Sequence, residues 1–432
     1  MHKSRLVWLA ALGTVVLLAV PGVAAANEVT KWNEIAVTTV NSQSSPLVSA
    51  AHAGPIFVAM ASGAVYGAVN AVDRHGRPYL VDRSFPKADG NAAAATAAFT
   101  VLDALFPAQH TELLVAYDAS LAAIADGASK SQGVAVGMMA ADAMLAEGHD
   151  GRAAIGCTFG SGLPGVWQPL PGPSGPLCDP AAWIRDTVPF LIESPSQFRT
   201  AGPYPLTSAA YAADLNEIEA IGSLTSATRT AAQTHAAAFW QTNPSANYNA
   251  MGRRFAEQFS LDLSNSARLL ALLDLSSADA LIAAWNDKYF WNFWRPITAI
   301  RHADMDGNPA TAADPAWTPL FDPSCGIAIC GAGPALVTPP YPDQPSGATS
   351  VASAAMHAFA SFFGTDEMTF YATSSRFPGE QRVFTRFSDL TNEVLEARIW
   401  AGIHFRNADV QAAALGRDVE RYIHTHYFAA AH

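Results

Sequence analysis

Lys288-Tyr-Phe-Trp-Asn-Phe-Trp-Arg295-Pro296 decides how this chain is read. Two cations lie seven residues apart in a run dense with aromatics, extended upstream by Trp285. On a helix that spacing is nearly two turns, so Lys288 and Arg295 are expected on one face with Asn292 between them. Pro296 disfavours helical geometry at Arg295 and is expected to end the helix there. Aromatic bulk buries the aliphatic stems, excludes water and strengthens whatever charge interaction the heads make. Taken alone, the stretch fits two readings: a core helix with solvated basic ends, or one wall of an anion pocket.

Two later segments bear on that choice. Pro345-Ser346-Gly347 follows a Pro-rich loop and precedes an apolar helical run. Ser346 suits an N-cap, Gly347 lets an anion approach the backbone, and the free N–H groups of a helix start favour negative charge. An ordinary helix cap is the other reading. Arg398-Ile-Trp-Ala-Gly402-Ile-His404 places a planar guanidinium fork and an imidazole on either side of a glycine that can redirect the chain. Together the segments supply one Lys, two Arg, a Ser-Gly turn and a His, a set suited to a tetrahedral oxyanion such as vanadate or phosphate.

The order and spacing of these segments resemble the type 2 phosphatidic acid phosphatase and vanadium-dependent haloperoxidase superfamily. Trp32-Asn33 and the Ala-rich stretch 48–72 add a likeness to its exported bacterial haloperoxidase branch. The resemblance implies a helical bundle, with His404 bonding vanadium and Lys288, Arg295, Ser346, Gly347 and Arg398 holding the oxyanion oxygens. It implies vanadate as cofactor, phosphate as the competing oxyanion, and hydrogen peroxide with a halide or small organic substrate as reactants; His404 and Lys288 are then the catalytic pair. The phosphatase branch implies instead an acid phosphatase acting through a phosphohistidine at His404. Two positions depart from the family pattern. Ala348 stands where a second His follows the Ser-Gly, and a methyl group moves no proton. A catalytically impaired oxyanion-binding homologue is therefore a third reading, and activity would require a substitute such as His302 or Asp343. Ala408 stands where the phosphatase branch has an Asp that orients the reactive His, leaving Asp409 as the candidate orienting carboxylate.

Outward from the motifs, 432 residues are enough for a substantial core. Half are hydrophobic and 14% charged, a balance that fits a packed helical protein rather than a disordered one. His2, Lys3 and Arg5 precede an apolar run, Leu6 to Val20, and Ala24-Ala25-Ala26 offers a cleavage site. Residues 1–26 are thus expected to be a signal peptide, with an uncleaved anchor helix as the alternative. Their removal leaves 23 basic against 37 acidic residues, a net charge of −14. An acidic surface argues against nucleic-acid binding. The expected location is secreted or periplasmic. There the four cysteines favour disulfides, simplest as Cys157–Cys178 and Cys325–Cys330; zinc is the weaker alternative, because no paired Cys-x-x-Cys spacing exists. Leu47 to Val72 carries no charge but is rich in Ala, Gly and Ser and contains His52, so a buried helix is expected rather than a stable span.

Apolar periodicity predicts helices over 91–106, capped by Asn91, then 112–126, 131–147, 208–221, 227–241, 247–259, 264–274, 277–294, 346–363, 389–401 and 410–427. Residues 151–206 and 303–345 read as Gly/Pro-rich loops, the first as a cover for the pocket mouth. No strand and no repeat is predicted. The expected fold is an all-α bundle over 27–432, with the motif-bearing core from about 264 onward. Asp304-x-Asp306-Gly-Asn308 resembles a calcium loop only at its opening and reads as a polar turn.

Overall fold

A computed structural model describes residues 27–49, 52–156, 160–172 and 175–428. The candidate signal peptide, residues 1–26, and Cys157 lie outside the described residues.

The principal helices are α1 (Glu28–Asn41), α2 (Gly54–Val72), α3 (Gly90–Leu105), α4 (His110–Ala122), α5 (Ala128–Ala146), α6 (Ala209–Gly222), α7 (Ala231–Phe239), α8 (Pro244–Gln258), α9 (Leu263–Trp291), α10 (Pro296–Arg301), α11 (Gly347–Phe363), α12 (Phe387–Trp400) and α13 (Arg406–Ile423). The architecture is helical throughout, as expected, with very little sheet. Its axis is α9, 29 residues long and roughly 43 Å from end to end. Asp262 starts it by accepting from the Asn265 N–H. Almost every residue from Ser266 to Lys288 is buried, so α9 is enclosed around its whole circumference. It packs against α2, α11 and α13, while α2 packs in turn on α3 and α5. The predicted break at 275–276 does not occur. Leu275, Ser276 and Ser277 are all buried, and packing on every side overrides the weak helix propensity of two serines.

α2 has the length and composition to cross a membrane, but 94% of that stretch is buried inside the protein, so its apolar surface is already spent on neighbouring helices. Asp89, not Asn91, caps α3, accepting from the Ala92 N–H.

The absence of strands was mispredicted. Glu367–Thr373 (β1) and Gln381–Arg386 (β2) form an antiparallel hairpin, pairing Phe370 with Phe384 and Tyr371 with Val383. An irregularity between Glu367 and Phe370 shifts the register and hides the period-two signal. A two-residue pair, Pro171–Gly172 with Gly175–Pro176, is the other sheet among the described residues. Cys325 and Cys330 are bonded to each other, and Cys178 is also disulfide-bonded. Asp304–Asn308 is a polar turn in which Asp306 accepts from the Asn308 N–H and the Thr311 hydroxyl.

Candidate active site

The three motif segments meet at the C-terminal end of α9. Lys288 lies in the last turn of that helix and is fully buried. The helix stops three residues later, where Asn292 takes a left-handed conformation and donates its N–H to the Lys288 carbonyl at 2.8 Å. The chain then runs extended to Arg295, and Pro296 opens α10. Lys288 and Arg295 therefore do not share one helical face, as their spacing suggested. A helix end and an extended link carry Arg295 back to the same place.

Arg295 is buried, donating through Nε to the Tyr341 carbonyl and through Nη1 to that of Ile403, each at 2.7 Å. Its guanidinium lies 4.7 Å from the Tyr341 ring centre. Nη2 is buried with no partner among the described residues. Arg398, in the last turn of α12, donates through Nη1 to Gln241 Oε1 at 3.1 Å, while its Nε is likewise buried and unpartnered. Lys288 differs. Its ammonium donates to the carbonyls of Pro342, Asp343 and Pro345, which accounts for all three donors. It clamps the turn leading into α11, and in this arrangement it has no donor left for an oxyanion.

Ser346 is the N-cap of α11, but its hydroxyl goes to Thr349 Oγ1 rather than to a backbone N–H. Thr349 in turn donates to Asp409 Oδ1 at 2.6 Å. Gly347 lies against Trp285: a Cβ there would come 2.4 Å from that ring, so no larger residue fits. At the end of α12, Gly402 has φ 76°, and a Cβ on it would lie 2.4 Å from the Gly222 carbonyl oxygen. Glycine thus permits both the turn and the contact that bring His404 inward.

His404 is buried, with Nδ1 2.9 Å from Asp343 Oδ1 and Nε2 3.1 Å from Arg295 Nη1. The carboxylate beside His404 is therefore Asp343, not the expected Asp409. Asp409 sits one turn into α13 and is engaged by Thr349, so sequence proximity misassigned it. Asp343 was legible only as an acid in the Pro-rich approach to Ser346; it touches the imidazole, but both its carboxylate oxygens are buried without a hydrogen-bond partner among the described residues.

Burial dominates the electrostatics. It pushes the Asp343 carboxyl up to about 8 against the opposing pull of Arg295 and Lys288, and Asp409 up to about 7. Burial, then Arg295, then Lys288 hold His404 well below the ordinary histidine range, so its ring is neutral. Burial and then Arg295 hold Lys288 well below the usual lysine range.

Beside this cluster lies a cavity of about 70 Å³, several times the space one water needs. Gly347, Ala348, Arg398 and His404 line it, with His52, Gln241, Trp285 and Tyr341. No described residue of the 151–206 loop does. It packs instead on α9, where Asp179 accepts from Trp285 Nε1 and the Tyr289 hydroxyl, each at 3.0 Å. His302, the other candidate substitute at Ala348, is exposed.

The residues fit an oxyanion. Two buried guanidinium groups keep an unspent donor each, and a neutral imidazole supplies a ring nitrogen for coordination.

Residues 268–431 match a family model described as the VCPO second helical-bundle domain. A vanadium chloroperoxidase from Curvularia inaequalis is 36% identical over 109 residues, a match that takes in 23% of this chain and 16% of that protein. Among solved structures, a bacterial vanadium-dependent iodoperoxidase superposes with a TM-score of 0.72 at 20% identity, covering 94% of this chain and 99% of that one. A holo-type bacterial vanadium-dependent chloroperoxidase does so at 0.67 and 18% identity, covering 93% and 97%. Residues 268–431 are thus similar to the VCPO second helical-bundle domain, and the chain shares the helical fold of the bacterial vanadium-dependent haloperoxidase structures.

Proposed function

We propose that this chain is a vanadate-dependent peroxidase that uses hydrogen peroxide to oxidise a halide or a sulfide. The observation that carries the reading is the pair of buried, unpartnered donors, Arg295 Nη2 and Arg398 Nε, beside His404. Bound vanadate supplies Lewis-acid activation of peroxide and oxygen transfer to the acceptor. With Nδ1 beside Asp343, Nε2 is the ring nitrogen that would meet the vanadium once Arg295 Nη1, 3.1 Å away, gives way to it. Arg295 and Arg398 neutralise the oxyanion charge, and the Gly347 N–H, with the Ser346 hydroxyl once it turns from Thr349, completes the cradle. Lys288 positions this cradle by holding the 342–345 turn, and adds positive charge behind it. The neighbours act on iodide and chloride by their names, which supports a halide as acceptor. We place the enzyme outside the cytoplasm after removal of residues 1–26, a location compatible with the Cys325–Cys330 bridge.

The test is metal analysis and calorimetry after vanadate loading, with halide-dependent chlorination or iodination and p-nitrophenyl phosphate hydrolysis measured in parallel. Stoichiometric vanadate and halide-dependent turnover are expected. Phosphate hydrolysis without oxidation would move the assignment to a phosphatase, and vanadate binding without turnover to an inactive oxyanion-binding protein.

A further inference from the structure

Ala348 leaves its side of the cavity without a titratable group, yet the cavity holds a second imidazole. His52 stands in the turn before α2, distant in sequence from every motif segment, and lines the same space as Ala348, Arg398 and His404. Two aromatic rings fix it. Its centroid is 5.1 Å from that of Trp285 and 5.0 Å, edge-on, from that of Tyr341. Those rings belong to the oxyanion cradle: Trp285 abuts Gly347, and Tyr341 carries Lys288 at 5.0 Å and Arg295 at 4.7 Å. No hydrogen bond joins the His52 ring to another described residue, although a half-buried imidazole between aromatics ordinarily finds one.

We propose that His52 faces the bound oxyanion and is the hydrogen-bonding and proton-exchanging group of this site, in place of a side chain at Ala348. This rests on the oxyanion reading of the cavity. Burial first, then Lys288, Arg398 and Arg295, push the His52 ring down to about 3, so the ring is neutral and offers one donor and one acceptor. A bound anion offsets the three cations that hold the proton off, so His52 becomes more basic when the cradle fills. It then takes the proton that hydrogen peroxide loses on entering and returns it to the oxygen that leaves as water. The net reaction is H2O2 + X⁻ + H⁺ → HOX + H2O, in which the halide is oxidised by the two electrons that reduce the peroxide.

The experiment uses the full mature chain. Ring ¹⁵N resonances of His52, assigned by their loss in His52→Gln, are followed while orthovanadate, and separately inorganic phosphate, is titrated in. Both anions are expected to move them with the dissociation constant that calorimetry gives. Halide oxidation is expected to fall by about 10²-fold or more in His52→Ala and His52→Gln. Vanadate affinity should survive better in His52→Gln, whose amide still bonds to oxygen. Ala348→His is expected to restore part of the lost rate in the His52→Ala background. Thermal melting of each variant separates these effects from misfolding. If vanadate binds but the His52 resonances stay fixed and both variants keep rates within twofold of wild type, the inference is wrong and the pocket assignment stands. If neither anion binds the wild type, both fail together.

Discussion

Two Gly/Pro-rich segments lean on α9, and they do so with opposite halves of the peptide group. Around 190–200 the chain turns its N–H groups inward. Phe190, Leu191 and Ile192 donate to the buried Asp279 carboxylate at 2.6–2.9 Å, and the Thr200 N–H donates to Asp287. Around 341–345 the chain turns its carbonyls inward, to Arg295 and Lys288. The sign of the buried anchor decides which backbone group a loop presents. The acidic contact has its donors consumed and serves as a brace. The basic one retains donors at Arg295 and Arg398, and that remainder is what the proposed oxyanion would use.

The sharpest way to break the brace is Asp279→Ala, which leaves three buried N–H groups without an acceptor. We expect a loss of about 3–5 kcal/mol in denaturant unfolding. A loss under 1 kcal/mol would mean that the 190–192 turn finds other acceptors and is not held by this carboxylate.

On the basic side, Arg295→Ala or Arg398→Ala should weaken both vanadate and phosphate by about 2–4 kcal/mol, with the two anions competing for one site. Calorimetry showing unchanged affinity in both variants would remove the cradle.

A third kind of anchor sharpens the contrast. Asp274 on α9 faces side chains rather than a loop, accepting from Ser62 and Asn249, and burial pushes its carboxyl up to about 7. A folded value above the unfolded one means the native state holds the proton more tightly. Asp274 therefore stabilises at low pH, and that contribution fades as pH rises from about 4 to about 7. The stability of wild type minus that of Asp274→Asn should decline by about 1–3 kcal/mol across this window. Urea unfolding at both ends of the range measures it, and a flat difference would contradict the assignment.

The smallest effect is expected at the bridge within the carbonyl-presenting segment. Cys325→Ser with Cys330→Ser opens a short loop, so about 1–2 kcal/mol should be lost, with vanadate affinity nearly unchanged. A large loss of affinity would tie the bridge to the cradle.

Much of this was legible in sequence where the signal is local. Helix positions followed apolar spacing, and Lys288, Arg295, Ser346, Gly347, Arg398 and His404 do come together around one buried centre. Local signals also misled. Ser276 and Ser277 looked like punctuation because propensity is read without packing, and Asp409 looked like the partner of His404 because it is near in sequence. His52 and Asp343 needed the fold. One is a lone imidazole in an apolar stretch and the other a lone acid among prolines, and only tertiary geometry places the first at the cavity and the second against His404.

The contact between Gly402 and Gly222 bears on whether this pocket is portable. Gly222 ends α6, outside the 268–431 stretch that matches the family model. Its carbonyl also accepts from Leu320, and Arg229 beside it donates to the Trp400 carbonyl. The backbone that delivers His404 is thus seated on chain that the recognisable bundle does not contain. A fragment cut at 268 would keep every motif residue and lose the surface that aims the imidazole. Grafting or trimming this candidate site has to respect a boundary drawn by that glycine pair rather than by sequence similarity.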